Sequence, residues 1–201
     1  MNGQQLSRWL FTAILLGAFL ISGYFRRRAR QSGGAIPRAR EGRLSLLLRV
    51  AFAAPLYLSL FAYVVNPDWM AWSSVHLPAW LRWLAAAVGF SMLPLLYWVM
   101  RSIGSNVSET FLTKERHVLV THGPYRWVRH PLYSVATIAF MSLSILAANW
   151  FIASMAILAL IAVYLLVIPR EEAQLISKFG TEYRDYMQRT GRLAPRLRFF
   201  R

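Results

Sequence analysis

Residues 132–168 read LYSVATIAFMSLSILAANWFIASMAILALIAVYLLVI, an apolar run without one charged side chain. The run is too long for a single bilayer crossing, which takes about 20 apolar residues. Asn149 divides it into two stretches, Leu132–Ala148 and Trp150–Ile168. Each half is long enough to be a membrane helix, and so short a joint requires the two to lie antiparallel. This hairpin decides the fold class: an all-α integral membrane protein.

Outward from the hairpin the same pattern repeats. Upstream, apolar spans are expected from Leu6 to Phe25, from Leu44 to Val65 with a kink at Pro55, and from Ala79 to Met100. Arg49, near the start of the second, can snorkel to the headgroups. Residues 26–43 are rich in arginine and are broken by Gly33, Gly34 and Pro37, which predicts a loop or short surface segment. Pro169 marks the exit from the hairpin, and residues 170–201 form a charged tail with an expected helix stop at Gly180. The basic residues gather in residues 26–43, in residues 101–131 and in the tail, whereas the loop around Trp69 and Trp72 and the Asn149 turn carry none. The positive-inside rule then predicts five transmembrane helices, N-terminus out, with a cytoplasmic helical tail. Residues 1–100 supply three helices and a basic loop; residues 101–201 supply the polar loop, the hairpin and the tail.

Composition narrows the function. The chain has 201 residues, is 57% hydrophobic and only 15% charged, where soluble domains run near a quarter. The net charge of +15 would suit nucleic acid, but the basic residues flank apolar runs, the arrangement that orients a membrane protein. With no cysteine, thiol nucleophiles and cysteine-held metals are excluded, and no metal site is expected. No internal repeat suggests a transporter.

Chemistry-bearing residues cluster on either side of the hairpin. Before it stand His117-Val118-Leu119-Val120, Gly123-Pro124-Tyr125 and Arg129-His130-Pro131-Leu132-Tyr133. Pro131 suits the first turn of a helix, where its missing N–H costs nothing, and a helix N-terminus favours anions. His130, Tyr125 and Trp127 could equally be interfacial side chains. After the hairpin come Arg170-Glu171-Glu172, then Glu182, Tyr183, Asp185 and Tyr186 on a second short helix. A carboxylate at a membrane exit can hold an ammonium or sulfonium group; it can also simply offset the helix macrodipole.

Together with Gly104, Asn106-Val107-Ser108, Phe179-Gly180-Thr181-Glu182-Tyr183 and Thr190-Gly191-Arg192-Leu193-Ala194-Pro195, these segments resemble the isoprenylcysteine carboxyl methyltransferase family. The resemblance covers roughly residues 100–197. It implies a membrane methyltransferase that uses S-adenosylmethionine and a lipophilic acceptor, with its site on the cytoplasmic side, at the inner membrane in a bacterium. It places His117, Val118, Leu119, Val120, Tyr125, His130, Pro131, Leu132, Tyr133, Glu171 and Tyr183 around the cofactor. Glu171, Glu172, Arg170 and Arg129 are the candidate catalytic residues. Two positions depart from the pattern. Val135 stands where many relatives have glycine, and Val167 stands where an arginine for the substrate carboxyl is common, so Arg170 or Arg129 would have to substitute. A carboxylate acceptor is already ionised and needs no base. An amine acceptor would need one, and His130 or a glutamate could serve. A sterol-type reductase and a lipid-binding scaffold are the remaining alternatives.

Overall fold

The computed structural model describes residues 3–33, 43–104 and 118–196. His117, Asn106, Val107 and Ser108 lie outside the described residues. Among the described residues seven α-helices follow one another: α1 (Gly3–Gly33), α2 (Arg43–Val65), α3 (Ala79–Ile103), α4 (Pro131–Ala147), α5 (Trp150–Ala162), α6 (Ile168–Phe179) and α7 (Thr181–Arg189). No extended strand occurs among the described residues; only two isolated bridges do, Ser74 with Asn149 and Val128 with Gly191. Three stretches of the described residues are long and apolar enough to cross a membrane: Gly3–Gln31, Ala79–Ile103 and Trp150–Phe179. Val50–Val65 and Pro131–Ala147 are shorter apolar helices. At 1.5 Å per residue, α4 is about 26 Å long, slightly less than the ~30 Å hydrocarbon core.

The expected hairpin is present, and its turn is fastened. Ala148 takes a left-handed conformation at φ 51°. Asn149 Oδ1 accepts the Ile152 N–H at 3.0 Å and so caps α5. Its amide nitrogen donates to Met70 O at 3.1 Å and Ser73 Oγ at 2.8 Å, both on the short 3-10 helix Pro67–Ser73. Arginines close two other helix ends here. Arg8 donates to Val64 O and Val65 O at 2.8 and 2.7 Å, and Arg82 donates to Leu146 O at 3.1 Å. Each thereby satisfies C-terminal carbonyls that have no intrahelical partner. The core at this end is built from α1, α2, α3, α4 and α5, through Phe11, Leu60, Ala85, Leu143 and Ile152.

At the opposite end a second core joins α1, α3 and α4 through Phe25, Ala29, Val99, Met100 and Val135. It corrects one expectation. Residues 26–33 are not loop: α1 runs on to Gly33. Phe25 and Ala29, four residues apart and therefore on one face, are both buried against this core, and arginine is a good helix former. Burial of that face carries the helix past the hydrophobic span. Val135 is also buried here; a valine at this position is packed core.

One irregularity positions the site. Between α5 and α6 the chain makes a π turn, Val163–Val167. The Ile168 N–H reaches back to Val163 O rather than one residue later. The extra residue turns everything beyond it by about 100° relative to an unbroken helix.

Candidate active site

Two proline-started helix ends come together. Pro131 occupies the first turn of α4 with His130 as its N-cap, and Ile168-Pro169 begins α6. The tail then crosses the start of α4. Arg129 and His130 donate their backbone N–H groups to Gly191 O and Arg192 O at 2.8 and 3.1 Å, and Gly191 returns its own to Trp127 O at 3.3 Å. Ser134 Oγ adds a bond to Leu193 O at 2.6 Å. Only glycine fits at 191, since a Cβ there would lie 1.8 Å from Ala194 O. The α7 helix hangs beneath, tied by Tyr186 Oη to Tyr125 O at 2.6 Å.

The side chains converge on the glutamate pair. Glu172 is 4% exposed. Arg129 Nε donates to its Oε1 at 3.0 Å, His130 Nε2 lies 3.3 Å from the same oxygen, and Arg192 Nη2 donates to Oε2 at 2.6 Å. Arg129 is further held by Met187 O at 3.0 Å and by Thr190 O. Glu171 is the more open of the two. Tyr133 Oη donates to its Oε1 at 2.6 Å, His130 Nδ1 stands 3.5 Å from Oε2, and its side chain is 23% exposed. His130 therefore bridges both carboxylates. Burial by itself would lower the His130 pKa, but hydrogen bonds and charge from Glu171 and Glu172 outweigh it and raise the value. Burial pushes the phenols of Tyr125, Tyr183 and Tyr186 up, Tyr186 to about 12. These tyrosines are neutral donors at physiological pH and cannot act as bases.

Five of the fourteen expected residues meet at this point. Arg129 and His130 contact Glu172, and His130 and Tyr133 contact Glu171. Tyr183 lies beneath them, within electrostatic reach of Glu172 and Arg129. Its ring is buried, and its hydroxyl has no hydrogen-bond partner among the described residues. Tyr125 and Leu132 form the wall toward the second core, and Pro131 is buried beside them. Val118 is exposed, whereas Leu119 and Val120 are half-buried. Arg170 is exposed at the start of α6, and Val167 is the last residue of the π turn. The structure adds Arg192, Thr190, Ser134 and Tyr164 to the site. The Thr-Gly-Arg-Leu segment was the available signal. What it did not disclose is that the tail folds back more than fifty residues to reach α4.

The chain matches the model of the isoprenylcysteine carboxyl methyltransferase family over residues 84–177. It is 30% identical over 168 residues to the nickel-cobalt-cadmium resistance protein NccN of Alcaligenes xylosoxydans xylosoxydans, covering 79% of this chain and 78% of that one. The chain belongs to the isoprenylcysteine carboxyl methyltransferase family. A second relative, the protein-S-isoprenylcysteine O-methyltransferase of Tribolium castaneum, is 27% identical over 171 residues, 75% of this chain and 60% of that enzyme. The solved structure of the eukaryotic intramembrane Ras methyltransferase of the family superposes with a TM-score of 0.53 at 20% identity. That match covers 92% of this chain and 67% of the other, and it establishes a shared fold. Family membership makes this chain an integral membrane methyltransferase, and the matched segment contains both the histidine-proline and the glutamate motifs.

Proposed function

We propose that the chain transfers a methyl group from S-adenosylmethionine to a lipophilic acceptor, the carboxylate of an isoprenylcysteine-like group. The proposal includes five membrane crossings, the N-terminus outside and the glutamate cluster on the cytoplasmic side. The observation that carries it is the meeting of His130 and Tyr133 with Glu171 across the hairpin, within 3.5 Å.

The residues suit the donor. Glu172 is saturated by Arg129, His130 and Arg192, so it is not available to a ligand. Glu171 is partly open, is bonded by Tyr133 and lies within electrostatic reach of Tyr125 and Tyr183, and a partly open carboxylate among such groups favours an ammonium or sulfonium cation. The buried Tyr183 hydroxyl is a donor not yet used. When bound, S-adenosylmethionine supplies an electrophilic methyl group on sulfonium sulfur. Glu171, Tyr133 and Tyr183 would hold it, and the half-buried Leu119, Val120 and Leu132 would keep water away. An ionised carboxylate acceptor needs only alignment and a dry site. The chain then has to orient, not to move a proton.

The amine alternative fits less well. His130, the expected base, has both ring nitrogens directed at carboxylates and is biased toward the protonated form. The test is incubation of native membranes with methyl-labelled S-adenosylmethionine, then product analysis, with Glu171→Gln as control. A base-labile methyl ester that disappears in the variant is the expected product. A stable methylamine, or equal labelling by the variant, defeats the proposal.

A further inference from the structure

Arg192 joins three parts of the site. Its backbone carbonyl accepts the His130 N–H. Its Nη2 donates to Glu172 Oε2 at 2.6 Å, with the Arg192 side chain 33% exposed and Glu172 at 5%. Its guanidinium carbon lies 5.3 Å from the centre of the Tyr164 ring. Tyr164 belongs to the π turn Val163–Val167, so one side chain of the tail touches both the turn that sets the rotation of α6 and the carboxylate that this rotation delivers.

The consequence follows from the contacts beyond Glu172. Glu172 Oε1 is shared by Arg129 and His130. The other ring nitrogen of His130 faces Glu171, which is also held by Tyr133. If α6 were to rotate, both glutamates would leave their partners together. Arg129 cannot prevent this alone, because it is bound to the tail carbonyls of Met187 and Thr190 as well as to Glu172. It ties the tail to the start of α4, and Arg192 adds the tail's contact with the π turn. We propose that Arg192 is a positioning residue: by gripping Glu172 while resting on Tyr164, it locks the phase of α6 and so aims Glu171 and His130 at the donor site.

The inference rests on the methyl-transfer reading for its kinetics but not for its geometry. With the full chain in lipid nanodiscs, Arg192→Ala should lower kcat/KM about 10- to 100-fold, the scale of one charge-assisted hydrogen bond. The loss should appear as a raised KM for S-adenosylmethionine with the KM for the acceptor unchanged; a generally loosened fold would raise both. Arg192→Lys should recover part of the loss, and Tyr164→Leu should cost about two- to fivefold, the scale of an exposed cation–π contact. In a Glu172→Gln background, Arg192→Ala should cost little more. Hydrogen exchange supplies a readout without turnover: the Arg129 and His130 amides should lose protection in Arg192→Ala. Unchanged protection together with kcat/KM within twofold of wild type would overturn the proposal, as would full additivity with Glu172→Gln. If wild type transfers no methyl group, the methyl-transfer reading fails, and the exchange measurement alone decides on Arg192.

Discussion

Arginines at the two ends of this molecule do opposite work. At the Asn149 end, Arg8 and Arg82 donate to the backbone carbonyls that close α2 and α4. At the other end, Arg129 and Arg192 donate to one buried carboxylate. The first pair finishes helices and leaves nothing to react. The second pair holds Glu172 in place and thereby leaves its neighbour, Glu171, open. The difference lies in the partner. A carbonyl is neutral and each helix end supplies its own, whereas a buried carboxylate demands compensation and collects every cation within reach.

The comparison is broken most severely by Glu172→Leu. It leaves Arg129 and Arg192 without their counter-charge and should cost about 3–5 kcal/mol of stability, read as a fall in the thermal midpoint in detergent. Glu171→Gln should leave that midpoint nearly unchanged while methyl transfer falls roughly 100-fold, the scale of one lost electrostatic contact at a reacting centre. A parallel loss of stability would show Glu171 to be a second structural carboxylate. Titration sharpens the contrast. The folded His130 pKa is raised above its ordinary 6.5, so its contribution is complete below pH 6.5 and is lost as pH climbs through the folded value. Wild type should therefore destabilise on the alkaline side relative to His130→Gln, and thermal midpoints across pH check this. Arg8→Ala should cost about 1 kcal/mol with activity unchanged, which separates the two ends directly. The smallest effect is expected at the turn. Ala148→Gly relieves a left-handed alanine and should stabilise by roughly 0.5–1 kcal/mol.

Much of the fold was legible because lipid-compatible helices announce themselves by composition. The Asn149 turn could be read from one polar residue in an apolar run, and the structure shows that residue capping α5. The extension of α1 to Gly33 could not be read so, because Arg26, Arg27 and Arg28 look like a loop flank until Phe25 and Ala29 are seen to share a buried face. In the site, His130, Tyr133 and Glu171 were legible as motifs. The division of labour between Glu171 and Glu172 was not. Adjacent identical residues differ only in which direction the helix turns them, and the π turn sets that direction.

The sequence by itself determined a helical membrane protein, its hairpin, and the two motifs that bracket it, since hydrophobic length and charge placement are local properties of the chain. Tertiary structure alone decided which glutamate is buried under two guanidiniums, which is left open, and that Arg192 reaches both Glu172 and Tyr164. Those outcomes depend on a π turn and on a tail folded back across α4, where partners distant in sequence compensate one buried charge.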